Sequence, residues 1–190
     1  MKKLLAVLVC ITLLFLCSCS ARYENVTFQE DDDKKCVLYA EEKYFAVSFF
    51  EATERHDKAN ETDIELGWYY SFPFSTRFYS YTSEKPFFIY SIGSDTDVYV
   101  RHDFDYRMET FVVDGTGLEI VFSDALTPSD DFVYDMTGGY SLRKNVTLCY
   151  KLHPSLRARL NLFYKDGAYY AGGIEGTLFK VSDEFAKLIY

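Results

Sequence analysis

Histidine is nearly absent from this chain, with three in 190 residues. His56, His102 and His153 belong to no HExxH, and no paired CxxC or His-rich tract accompanies them, so the usual zinc spacings are missing. A GxSxG elbow and an SxxK motif are lacking as well, and no Gly-rich phosphate loop appears. Positive charge is short too. Twenty Lys and Arg face 29 Asp and Glu, for a formal net charge of -9, and the domain grows more negative once Lys2 and Lys3 leave with the leader. Such a domain repels phosphate backbones, which argues against nucleic-acid partners. No metal site, cofactor site or local catalytic motif is expected. The loop trio His102, Asp103 and Asp105 is the nearest approach to a metal set, and Cys149 with His102 or His153 the nearest to a nucleophilic dyad.

What is present starts at the N-terminus. Lys2 and Lys3 form a positive n-region, and Leu4 to Cys17 is an uncharged apolar run of signal-peptide length, too short to span a bilayer comfortably. Leu16, Cys17, small Ser18 and Cys19 follow in turn. This leader resembles that of bacterial lipoproteins, whose lipobox ends in the cysteine that becomes the new first residue. Cys17 departs from the pattern, which usually has Ala, Ser, Thr or an aliphatic residue there. Bulky Leu16 disfavours a cut before Cys17 itself, so Cys19 is the expected acceptor. The resemblance covers the leader alone. It implies a diacylglyceryl thioether on Cys19, a stable lipid anchor, and a location on the extracytoplasmic face of the cell membrane. A plain secretory signal and an uncleaved anchor are the simpler alternatives.

The expected layout is a signal peptide over 1–18, a charged tether over 19–33 and one globular domain over 34–190. Two cysteines remain in that domain, Cys36 and Cys149, both in apolar strand-like runs. An oxidising compartment permits a bridge between them. Buried free thiols acting as small hydrophobes are the other reading.

Short runs rich in Val, Ile, Phe and Tyr, separated by Gly, Asp, Ser and Asn, recur from Cys36 onward. They predict a mainly β fold, an antiparallel twisted sandwich or partly open barrel, with α+β as the alternative. Lys165-Asp166-Gly167 reads as a hairpin turn, as does Asp114-Gly115-Thr116-Gly117. Ser182 followed by Asp183 and Glu184 reads as the capped start of a short C-terminal helix. Thr53 to Asp63, with no apolar residue except Ala59, reads as an exposed loop.

The compositional oddity is aromatic: 17 Tyr, 17 Phe and one Trp, 18% of the chain. Neighbouring rings on a strand face opposite ways, so some stand outside the core. Trp68, Tyr69 and Tyr170 are the candidates for a contact surface, because flat rings supply binding area at low entropy cost. Cross-strand pairing that stabilises the sheet is the competing account. Two functions follow as expectations: a lipid-anchored binding or assembly module for a glycan, peptide or protein partner, and, as alternative, a hydrolase of wall or nutrient polymers using dispersed carboxylates.

Overall fold

The computed structural model describes residues 22–31, 34–53, 58–71, 74–93, 97–129, 141–172 and 178–189. Sixteen strands carry these segments. They are β1 (Arg22–Glu24), β2 (Val26–Asp31), β3 (Lys34–Tyr39), β4 (Glu42–Ala46), β5 (Phe50–Glu51), β6 (Ile64–Ser71), β7 (Phe74–Ser80) and β8 (Phe88–Ile92). The rest are β9 (Val98–Arg101), β10 (Thr110–Val113), β11 (Leu118–Val121), β12 (Leu126–Pro128), β13 (Ser141–Tyr150), β14 (Arg157–Lys165), β15 (Ala168–Gly172) and β16 (Leu178–Val181). A helical turn, Phe122–Ala125, links β11 to β12, and the helix Asp183–Ile189 ends the chain. The Ser182 hydroxyl accepts from the Phe185 amide at 3.2 Å, capping that helix.

The strands form two antiparallel sheets. The first runs β1-β6-β7-β8-β9-β4-β3-β2 and curls into a nearly closed barrel, its last strand returning against β1 and β6. The second runs β11-β10-β13-β14-β15-β16-β12 and makes a half-barrel. The short β5 leaves the barrel to pair with β14, Phe50 opposite Ala158, before β6 returns. Phe49 and Phe50 therefore sit in the half-barrel's aromatic core, within 6.1 Å of the Phe111, Phe122 and Phe179 rings. One hydrophobic core thus joins residues of both sheets.

Alternation explains how the two bodies share a wall. Ile89 and Tyr99 point into the barrel with Val37, Tyr44, Leu66 and Phe78. Phe88, Tyr90, Val98 and Val100, one position along on the same strands, point the other way into the half-barrel core. β8 and β9 are consequently buried on both faces, and this is why FFIYSI and DVYV lack the polar alternation of an exposed strand.

The expected β architecture with a short C-terminal helix is present. The charged segment 19–33 is not simply a tether, however. Residues 22–24 and 26–31 are paired as β1 and β2, and Val26 is fully buried in the barrel. Of the expected exposed loop from Thr53 to Asp63, Lys58, Glu61 and Thr62 are exposed, but other described residues in it are held down. Thr53 is buried, and the Asn60 side chain donates to the Ala52 carbonyl and to Asp63 Oδ2, both at 2.8 Å. Polar bonds pin this connection where apolar contacts are lacking.

Candidate functional site

The three aromatic candidates do not converge. Trp68 and Tyr69 are adjacent on β6, and Tyr170 lies on β15 of the other sheet, opposite Phe163 and Lys180 in register. Tyr69 turns inward, its ring 5.8 Å from Phe28 and packed on the barrel core. Trp68 is left on the outer face.

Around Trp68 the outer face carries a groove of about 410 Å³, lined by Asn25, Glu65, Leu66, Gly67, Trp68, Ser75 and Arg77. Register builds it. Trp68, Arg77 and Ile92 stand opposite one another across β6, β7 and β8, and Glu65, Tyr79 and Tyr90 make the next row. Since Phe78 points inward, Arg77 and Tyr79 must point outward. The register shifts between Glu65 and Gly67, so an extra residue, Leu66, drops into the barrel while Glu65 stays beside Tyr79. Gly67, opposite inward-facing Phe78, lends the groove only backbone. Asn25 rims it from the kink between β1 and β2, at φ 58, a conformation asparagine tolerates better than most residues.

The electrostatics of the groove centre on Glu65. Its Oε2 accepts from Arg77 Nη1 at 3.0 Å and from the Tyr79 hydroxyl at 3.3 Å. Both bonds fall on one oxygen, so among the described residues Oε1 keeps its lone pairs. The hydrogen bond to Glu65 raises the Arg77 pKa, keeping the guanidinium charged. Burial raises that of Tyr79, keeping the phenol protonated. A flat indole therefore stands beside one carboxylate acceptor, one guanidinium donor, an amide and a hydroxyl.

Sequence reasoning named Trp68 but none of its polar neighbours. Nothing local in the sequence brings Glu65 and Arg77 together; only the bulged register sets them on one face of β6 and β7. Gly67 inside a strand-like run was the available sign of a bulge.

The remaining candidates stay apart. Cys36 is buried in β3 of the barrel and Cys149 lies in β13 of the half-barrel, and the two are not joined by a disulfide. Burial pushes the Cys149 thiol up, away from the thiolate a nucleophile needs. Its suggested partners are engaged elsewhere: His102 Nδ1 lies 3.8 Å from Glu42, and His153 packs 4.1 Å from the Tyr81 ring. The loop acids behave likewise, Asp103 bonding to Arg101 and Asp105 bonding to Arg107 at 2.7 and 2.8 Å. These arginines hold both carboxyls below the usual range. Among the described residues, no group of three His, Cys, Asp or Glu is placed to hold a metal ion, and no helix is long and apolar enough to cross a membrane. Cys19 lies outside the described residues.

No protein-family model, curated protein or solved structure matches this chain.

Proposed function

We propose that this protein is a lipid-anchored binding module at the bacterial cell surface, tethered through Cys19, and that the Trp68 groove holds a glycan. The observation that carries the reading is the pairing of the chain's single indole with an ion-paired carboxylate over a groove of about 410 Å³. That volume falls in the range of small-ligand sites, about 300–1,000 Å³, and suits a few sugar rings better than a protein surface. A sugar ring has an apolar C–H face and a rim of hydroxyls. The indole matches the face; Glu65 Oε1, Arg77, Asn25 and Ser75 match the rim by accepting from and donating to hydroxyls. Hydrolysis by two acids requires a pair about 5–10 Å apart. Glu65 is the groove's one described carboxylate, and it is bound to a cation, so binding is the better-supported use.

Trp68 is also the reporter. Residues 20–190, free of the lipid, are titrated with a panel of wall and capsular oligosaccharides while indole emission is followed. A saturable shift that Glu65→Gln and Arg77→Met weaken supports the groove. Binding that survives Trp68→Ala undiminished, or hydrolysis of a panel member abolished by changing one acid, overturns it. Mass spectrometry of the N-terminal peptide tests the anchor separately, a diacylglyceryl mass on Cys19 being the expected result.

A further inference from the structure

The half-barrel is unclosed at one seam. Its first and last strands in space, β11 and β12, are consecutive in sequence and are joined by the helical turn Phe122–Ala125. Among the described residues these two edges are not hydrogen-bonded to each other, β11 pairing with β10 and β12 with β16. The C-terminal helix covers the gap instead, with Phe185, Ala186 and Ile189 buried in the core and the Ser182 amide donating to the Ala125 carbonyl at 2.9 Å. Coverage is incomplete. Between β11 and this helix runs a groove of about 340 Å³ lined by Glu119, Ile120, Val121, Asp124, Ala125, Ser182, Glu184, Phe185 and Leu188.

Three properties of this groove act together. β11 pairs only with β10, so among the described residues its second edge offers unpaired amides and carbonyls. The floor is apolar, formed by Ile120, Val121, Ala125 and Phe185, and Leu188 stands 58% exposed at its side. The rim is acidic. Of Glu119, Asp124 and Glu184, only Glu119 has an ion-pair partner among the described residues, Lys151 Nζ at 2.6 Å. Leu118–Val121 carries no lysine, no proline and no bulge, and its one charged side chain is Glu119, of the sign that attracts a cationic strand.

We propose that the β11 edge is a second docking site, which takes an extended cationic peptide segment as an added strand. The backbone edge supplies the main-chain bonds, alternate apolar side chains enter the floor, and the intervening Lys or Arg side chains meet Asp124 and Glu184. The chain's own charge selects this occupant. At a formal net charge of -9, a second copy brings its own acidic rim to the same edge, whereas a basic segment is drawn to it. The site lies on the half-barrel, apart from the Trp68 groove on the barrel.

The test uses residues 20–190 with an end-capped eight-residue peptide alternating Val and Lys, measured by calorimetry and by amide exchange. Binding should protect the β11 amides, leave Trp68 emission unchanged and persist in Trp68→Ala. The double variant D124K/E184K should weaken binding by about tenfold or more, as expected when rim attraction turns to repulsion. Leu188→Ser, a surface change, should weaken it while leaving the fold intact. The same peptide with Glu in place of Lys should not bind, and one N-methylated at alternate residues should lose binding because it cannot pair as a strand. Equal binding of the Glu peptide, retention by the N-methylated peptide, or concentration-dependent pairing of two protein copies through β11 would each overturn the proposal.

Discussion

The barrel and the half-barrel solve the same closure problem differently. The barrel nearly meets itself, β2 returning against β1 and β6, and fills its interior with its own Tyr44, Phe78, Ile89 and Tyr99. The half-barrel borrows. It takes one wall from the outer face of β8 and β9, one strand from the barrel's connection at β5, and a lid from the C-terminal helix. The difference implies that the half-barrel has no folded state without the barrel, and that the shared wall is where one change unsettles both.

Phe88→Ala sharpens that claim with the largest expected effect. Phe88 is fully buried on the half-barrel side of β8, its ring 5.1 Å from Phe87 and 5.3 Å from Tyr81. Removing it should cost about 3–5 kcal/mol. Chemical unfolding followed by near-ultraviolet circular dichroism and by exchange of barrel and half-barrel amides should show one cooperative transition at lower denaturant. Two separated transitions would break the shared-wall account.

Next come two glycines, one in each body. Gly93, at φ 150 after β8, runs so close to β7 that a Cβ would strike the Ser75 carbonyl oxygen and lie 2.9 Å from Thr76 Cα. Gly115, at φ 74 in the half-barrel's β10–β11 turn, has nothing within 4 Å of such a Cβ. Gly115→Ala should therefore cost only the left-handed backbone, about 1–2 kcal/mol. Gly93→Ala should cost more, since the backbone of a neighbouring strand has to shift as well. Equal losses in urea melts would remove the close approach from the argument.

Two hairpins show where the sequence was legible. Asp166-Gly167 joins β14 to β15 with φ of 49 and 85, and Ala40-Glu41 joins β3 to β4 with φ of 50 and 68. Both are two-residue loops with both φ positive, yet only the first carries residues that favour such φ and announce a turn. The second contains no Gly, Asn or Asp to announce it. The same limit hid the Trp68 site: alternation marks which residues of one strand share a face, but pairing between strands is nonlocal, and the Leu66 bulge resets it. Replacing Ala40-Glu41 by Asn-Gly should stabilise the barrel by about 1–2 kcal/mol, the cost of holding ordinary L residues in left-handed backbone. A rise in the urea midpoint with the slope unchanged is the expected reading. No rise would mean that the barrel imposes the turn without strain.

The smallest expected effect lies at the seam between the bodies. His153, in the β13–β14 connection of the half-barrel, packs on Tyr81 and Phe87 from the barrel side, with ring centroids 4.1 and 5.1 Å away, and lies 6.4 Å from Tyr150. Burial among these rings lowers its pKa; Asp63 nearby acts the other way, but more weakly. The other charges around the seam act on its phenols, Glu109 accepting from the Tyr150 hydroxyl at 3.0 Å and Arg101 lowering the Tyr81 pKa slightly against burial. A histidine whose folded pKa is depressed binds its proton more readily when unfolded. Its contribution to stability is therefore whole above the ordinary value of about 6.5 and is lost as pH falls from there through the lowered folded value. His153→Phe keeps the ring contacts and cannot take the proton, so the variant should lose less stability than wild type between neutral pH and the acid end of that window. Parallel pH profiles for the two proteins would show that the imidazole contributes nothing to the acid sensitivity of the seam.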